Sequence, residues 1–422
     1  MALEQNQMAI EYSGSKGPLF GLTLKTGLLS LITLGLYRFW QKTRIRKYIW
    51  SSVNAGGDTF EYTGTGLEKF LGFLVAIVFL AIYLGLVQMV LFYFGLNMMV
   101  DPDTASNEQI VRQMAALYIS ALAVMPFILF AIYRARRYKM ARTRFRGIRL
   151  GMKKGAWGYV IRAMGYGLLS ILTLGLLAPL MTFRLEKFMT DRSFYGTTSL
   201  RQDGKWTALY PAMKHVFIGL GILLASGVAF GFGMANETIA LAVLGGLLIF
   251  VGYVWLMVGM LYYGVWSFGY LMSHKVVVAD TPEDEIRFDA RPRTRQVIKT
   301  YILGGLLLAL LSSIVFGAVA VLVTPFMLGM EDAFMTDDPS GQSGMVFRMV
   351  GVALVAGIGY LVGIVVMQAL SMVLITQPIL AHYIETITVL NPAGLDRVSQ
   401  REALTGIDAD GFADALDIGG AI

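Results

Sequence analysis

Leu28 to Trp50 reads LLSLITLGLYRFWQKTRIRKYIW, and about 140 residues later Leu168 to Phe188 reads LLSILTLGLLAPLMTFRLEKF. Thr33-Leu34-Gly35-Leu36 falls on Thr173-Leu174-Gly175-Leu176, Arg44 on Arg184 and Lys47 on Lys187. Such self-similarity at a fixed period settles organisation before any other pattern is weighed. In the first copy the apolar run Gly17 to Leu36 contains Lys25. A full crossing would leave that ammonium in hydrocarbon, at about 2.5–3.5 kcal/mol for a mid-helix position. The pattern predicts a short, re-entrant or in-plane helix. Beyond it Tyr37, Trp40, Ile45, Tyr48 and Ile49 recur at helical spacing, with Arg38, Lys42 and Arg46 on another face. That is the signature of an interfacial amphipathic helix.

Outward from these boxes the chain is apolar, with a mean hydropathy of +0.62 and 56% hydrophobic residues against 15% charged. A soluble domain carries about 25% charged residues. Six runs have the roughly 20-residue length of a membrane helix: Phe70–Val100, Gln113–Tyr133, His215–Met234, Thr238 to about Met272, Tyr301–Leu328, and Arg348 to about Ile379. Lys and Arg crowd residues 38–69, 134–156, 182–214 and 273–299 and are sparse near 101–110, 235–237 and 331–345. The positive-inside rule then puts the basic loops and both termini in the cytoplasm, with six spans and two in-plane TLGL segments preferred over eight spans. The first 17 residues, with Glu4 and Glu11, lack the basic start and apolar middle of a cleavable signal peptide. Lys25, Arg162 and Lys299 are each 137 residues apart, which divides the chain into repeats at 1–145, 146–285 and a divergent 286–422 without a TLGL box.

Short alternating stretches flank the helices: MAIEYSG (8–14), DTFEYT (58–63), RGIRLG (146–151), FYGTTSL (194–200), IRFDA (286–290) and TITVL (386–390). The expected fold class is an all-α integral membrane protein. It is a helical transmembrane bundle of three degenerate repeats with interfacial helices, its strand fragments pooled into a small cytoplasmic β-sheet.

The TLGL segment, ARTRFRGIRLG (141–151) and GFADALDIGG (411–420) together resemble the YjgN-type family of bacterial inner-membrane proteins. The resemblance implies a multi-pass inner-membrane protein of a Gram-negative bacterium. It brings no activity and no catalytic residue.

The residues agree in offering no catalytic motif, no metal site and no cofactor site. Cysteine is absent, excluding thiol chemistry and Cys-ligated metals. The three histidines, His215, His274 and His382, stand at non-equivalent repeat positions, each near the cytoplasmic end of a span. The spans hold no Asp or Glu, which argues against proton- or sodium-coupled transport. Gly227-x-x-x-Gly231 and Gly359-x-x-x-Gly363 are expected to pack helices within the chain. Ten cations between Arg134 and Lys154 exceed what orientation requires. With the TLGL segments they nominate Arg38, Lys42, Arg44, Arg46, Lys47, Arg142, Arg144, Arg146, Arg149, Arg184 and Lys187 for contact with anionic phospholipids. The expectation is a non-enzymatic lipid-binding or membrane scaffold protein, for which another inner-membrane protein is a candidate partner and nucleic acid is not. The alternative is a transporter, channel or lipid flippase with a cavity between repeats.

Overall fold

The computed structural model describes residues 6–99, 106–279, 281–328 and 339–401. Ten strands alternate with pairs of helices: β1 (Gln7–Tyr12), α1 (Lys16–Ile32), α2 (Arg38–Ser51), β2 (Val53–Ala55), β3 (Asp58–Tyr62), α3 (Gly66–Tyr93), α4 (Asn107–Ala141), β4 (Thr143–Phe145), β5 (Ile148–Met152), α5 (Ala156–Leu172), α6 (Ala178–Thr190), β6 (Ser193–Tyr195), β7 (Thr198–Gln202), α7 (Tyr210–Ala235), α8 (Ile239–Ser273), β8 (Lys275–Val277), β9 (Ile286–Ala290), α9 (Thr294–Met327), α10 (Pro339–Ser371), a π-turn (Met372–Thr376), α11 (Gln377–Glu385) and β10 (Ile387–Leu390).

The strands close into an antiparallel barrel in sequential order, β1 meeting β10 through Gln7 opposite Leu390 and Met8 opposite Val389. This corrects the expectation of an all-α bundle with a small cytoplasmic sheet. Each strand fragment read from the sequence exists, but β2, β4 and β8 were missed, and FYGTTSL, read as one strand, holds most of β6, a turn and the start of β7. The missed strands are three residues each and follow directly on a helix, too short for alternation to show against helical periodicity. Phe60 and Tyr62 share the inner face of β3, and the direct partners of β3 are β2 and β4.

The barrel core is apolar. Ala55, Phe145, Tyr195, Val277, Ile286 and Val389 are buried in it, with Phe60, Ile148, Leu150, Leu200 and Phe288 packed around them. Period-2 alternation sends Glu61, Arg144 and Arg149 outward, and Arg144 stands opposite both Glu61 and Arg149. Burial pushes the Tyr195 phenol up to about 12, and its hydroxyl donates to the Phe145 carbonyl at 3.1 Å. Strands of three to six residues fall short of the roughly 9–11 that cross a bilayer, so this barrel is too short to span one.

Antiparallel order puts the β–β turns at one end of the barrel and the strand ends leading into helices at the other. The turn end is covered by Asn391 to Arg401. Leu395 and Val398 of this segment join the barrel core. Asp396 pairs with Arg146 at 2.9 Å, Arg397 with Asp284, and Ser399 accepts from the Thr197 amide at 2.9 Å.

The chain divides into two compact units. The first draws on Met1–Ile10, Asn54–Arg291 and Ile387–Ile422 and holds the barrel with the hairpins α3–α4, α5–α6 and α7–α8. α7 and α8 pack along their length because glycines let the backbones meet. A Cβ on Gly245 would lie 2.6 Å from the Phe230 nitrogen, and one on Gly233 2.5 Å from the Ala242 nitrogen. Gly227 and Gly231 instead lie on the open face of α7, so this pair does not make the expected internal contact. α3 and α4 meet through large side chains: Phe127 lies against Phe79 and Tyr83, and Gln88 donates to Ser120 at 2.9 Å. The second unit draws on Glu11–Val53 and Pro292–Thr386. Within it α1 packs on α10, with Val365 over Gly27. Gly359 and Gly363 receive Val319 and Phe316 of α9, as expected.

Among the described residues, six helices are long and apolar enough to cross a membrane, matching the six spans read from the sequence. α1 and α5 are not among them.

Candidate functional site

The two TLGL boxes form the same turn. Thr33 closes α1, the Leu34 amide donates to the Leu31 carbonyl at 3.1 Å, and the Gly35 amide to Ser30 at 2.6 Å. Thr173, Leu174 and Gly175 repeat this with Ile171 at 3.0 Å and Ser170 at 2.7 Å. These are the two hydrogen bonds of a Schellman motif, which ordinarily places glycine in the left-handed position. Here leucine occupies it, at φ 52° in Leu34 and 50° in Leu174, followed by Gly35 at 89° and Gly175 at 86°. Thr33 Oγ1 accepts from the Tyr37 amide at 3.0 Å, and Thr173 Oγ1 from the Leu177 amide at 3.2 Å, starting the returning helix. In T-L-G-L the threonine therefore caps the helix, the first leucine forms the tip, the glycine reverses the backbone and the last leucine adds a second apolar side chain.

Left-handed leucine costs about 1–2 kcal/mol relative to a residue at ease there. The side chain is also almost fully exposed, 94% in Leu34 and 82% in Leu174, with Ile32, Leu36, Ile171, Leu172 and Leu176 exposed beside it. Among the described residues, no contact repays the strain.

The charges on each leg set how deep a tip can sit. At 1.5 Å per residue, Arg162 lies about 18 Å and Arg184 about 15 Å from Leu174 along the helices. Half of a 30 Å hydrocarbon core is about 15 Å. An α5–α6 hairpin inserted until both arginines stood at headgroup level would therefore reach about one leaflet deep. In the first copy Lys25 lies about 14 Å from Leu34 but Arg38 only about 6 Å, so the same limit would hold that tip to a smaller depth.

At the root of α5–α6, Tyr133, Tyr159 and Phe188 form an aromatic cluster with Met152 and Met189. Arg162 and Arg192 lie 4.5 Å and 3.6 Å from the centre of the Phe188 ring. Beside the cluster, Glu186 receives both arms of Arg136 at 2.6 and 2.9 Å, Lys275 at 2.7 Å and the Thr190 hydroxyl at 3.2 Å. Burial raises the Glu186 pKa, but Lys275 and Arg136 outweigh it and hold the carboxyl well below the usual range. The cluster joins α4, α6 and β8.

The eleven nominated cations do not form one patch. Arg142 sits at the root of α3–α4, bound to Glu68 at 2.9 Å. Arg144 and Arg149 are on the outer barrel wall. Arg146 is at the turn end, held by Asp58 at 2.6 Å and Asp396 at 2.9 Å. Arg142 and Arg146 are four strand residues apart, about 13 Å, so no single plane of headgroups spans this set. Lys187 pairs with Asp191 at 2.9 Å. Arg184 is exposed on α6. On α2, Arg38, Arg44 and Lys47 are exposed, Lys42 is half-buried and Arg46 is buried; Arg44 lies 5.6 Å from the Tyr37 ring and Arg46 5.9 Å from Trp50. Sequence reasoning did not nominate Arg192, and it noted Arg162 only as the counterpart of Lys25. Arg162 and Phe188 are nearly equidistant from the TLGL turn, the one signal that could have paired them.

A family model described as "Bacterial protein of unknown function (DUF898)" matches residues 7–312, from β1 into α9 and across both TLGL hairpins. The chain belongs to this DUF898 family. Among its relatives, the inner membrane protein YjgN of Salmonella typhimurium strain LT2 is 27% identical over 85 residues, 20% of this chain and 22% of that protein. YjgN of Escherichia coli O157:H7 is 25% identical over 148 residues, 33% of this chain and 32% of that protein. The chain thus spans about a fifth to a third of the length of these relatives. No solved structure matches it. Six membrane-length helices and relatives named for the inner membrane mark this DUF898 member as a multi-pass inner-membrane protein.

Proposed function

We propose that this protein is a non-enzymatic membrane scaffold that binds anionic phospholipid, its barrel held at the cytoplasmic face and its two TLGL hairpins inserted into the adjoining leaflet. The observation that carries this reading is the strained, exposed leucine at both hairpin tips. A tip meant for water would carry glycine or asparagine at that position. Strain retained at an outward-facing position points to a use for the side chain, and hydrocarbon is the surrounding in which exposed leucine is favourable. The basic segments on the barrel side of the spans agree with cytoplasmic placement by the positive-inside rule.

The test uses the natural lack of cysteine. A nitroxide on Leu174→Cys, in nanodiscs containing phosphatidylglycerol, is expected to show oxygen accessibility above that to a water-soluble nickel complex, at a depth of about one leaflet. Native mass spectrometry of the same protein is expected to show phosphatidylglycerol or cardiolipin retained over phosphatidylcholine. A water-exposed label, or no preference among lipids, would sink the reading.

A further inference from the structure

Phe188 points from α6 toward α5, and its ring carries two cations. The guanidinium carbons of Arg162 and Arg192 are 4.5 and 3.6 Å from its centre, so they lie no farther apart than the sum of those distances. Like charges so placed repel unless an anion lies near. Among the described residues, neither arginine has a carboxylate within ion-pair distance. The acids close by in sequence are committed elsewhere, Glu186 to Arg136 and Lys275, and Asp191 to Lys187 and the Gln202 amide.

Each guanidinium has five N–H donors and gives one hydrogen bond among the described residues, Arg162 to the Gly158 carbonyl at 2.9 Å and Arg192 to the Phe188 carbonyl at 3.3 Å. The space around them is kept clear by glycine. A Cβ on Gly155 would come 3.0 Å from Arg192 Nε, and one on Gly158 3.3 Å from Arg162 and 3.1 Å from Phe188. Trp157, exposed between these glycines, is a residue type that favours headgroup depth. Arg162 stands about 18 Å from the hairpin tip, at the level of lipid phosphate.

We propose that Arg162 and Arg192, held by Phe188 at the root of α5–α6, form a binding site for one phosphate group, that of an anionic phospholipid headgroup. The planar fork of arginine suits phosphate because two parallel N–H groups meet two oxygens. Cation–π contact with Phe188 holds each fork in place before the ligand arrives. The site rests on the one-leaflet reading of the hairpin and names where one lipid is held.

The experiment titrates phosphatidylglycerol and phosphatidylcholine into the delipidated protein, followed by native mass spectrometry. At the usual contribution of one basic side chain near an anionic headgroup, Arg162→Gln or Arg192→Gln is expected to weaken phosphatidylglycerol binding about fivefold, and the double variant about thirtyfold. Arg397→Gln, an exposed cation on the segment that covers the turn end of the barrel, is expected to change it less than twofold. Wild-type protein without a preference for phosphatidylglycerol overturns the proposed function and this site together. A wild-type preference that survives the double substitution overturns the site alone. Inorganic phosphate and glycerol 3-phosphate are titrated in parallel, and if either displaces phosphatidylglycerol at equal concentration the lipid assignment is wrong. Should the glutamine pair not fold, Arg162→Lys with Arg192→Lys keeps both charges over the ring. Binding is then expected to fall severalfold through loss of the fork, and unchanged binding overturns the proposal.

Discussion

Replacing Glu186 with Gln should be among the most damaging single-atom changes in this chain. The carboxylate bridges Arg136 of α4 and Lys275 of β8, segments 50 and 89 residues away in sequence, through three charge-assisted contacts of 2.6–2.9 Å. Gln keeps the shape but removes the negative charge, leaving two cations facing each other around a neutral amide. Removing one partner of a buried ion pair costs about 3–5 kcal/mol. Arg136 keeps 29% of its side chain exposed, so the lower end, about 3 kcal/mol, is the expected loss. The measurement is equilibrium unfolding in mixed micelles, wild type against Glu186→Gln. Adding Lys275→Met to Glu186→Gln should recover part of the loss, since one stranded cation is gone. The pH dependence has a fixed sign. Because the folded carboxyl is held below its unfolded value, the stabilisation is complete above about pH 4.3 and is lost as pH falls through the lower folded pKa. Glu186→Gln should therefore flatten the acid limb of the stability curve. A loss under about 1 kcal/mol, or an unchanged acid limb, would refute the bridging role.

Three further outcomes are expected. Asn236→Cys should react with an impermeant maleimide on intact spheroplasts while Arg44→Cys, Arg142→Cys and Arg184→Cys do not; Asp103→Cys and Asp338→Cys, outside the described residues, should behave as Asn236→Cys does, and outside labelling of Arg184→Cys would mean that the hairpin crosses. Gly245→Val should lower the unfolding temperature of α7–α8 far more than Gly227→Val, because the first meets the Phe230 backbone and the second meets open space; equal effects would contradict the packing. Leu395→Ala should cost about 2–3 kcal/mol in unfolding experiments by leaving a cavity under the barrel cap, whereas a loss below about 0.5 kcal/mol would mean that the cap does not seal the core.

The spans were legible because a run of twenty apolar residues has few other uses. That α1 and α5 fall outside the membrane-length helices was legible through Lys25 and Arg162, whose charges make a full crossing expensive. The barrel was not. Three residues such as Val53–Ala55 or Ser193–Tyr195 carry one and a half periods of alternation, and nothing local says that ten such pieces close on themselves. The cations were legible as a set, but their partners were not. Strand geometry carries Arg144 and Arg146 away from Arg142, and the acids that neutralise Arg142 and Arg146 come from Glu68, Asp58 and Asp396. Arg162 comes over the Phe188 ring only because α5 and α6 pack across the turn, while Arg192 reaches the same ring from four residues farther along its own side.

The pairing of β1 with β10 has a consequence for how the chain is made. Gln7–Tyr12 leaves the ribosome before the other nine strands, yet its partner Ile387–Leu390 is translated only after the six described membrane-length helices. Throughout synthesis the growing sheet therefore carries an unpaired edge at β1 and another at its newest strand, and such edges recruit wrong partners. Contacts this distant in sequence also form slowly. A ribosome that stalls, or a message cut short, just before residue 387 would leave all six membrane-length helices made beside an open sheet. The unclosed ring then distinguishes finished chains from unfinished ones, and a chaperone or protease that captures exposed strand edges at the membrane could read that difference.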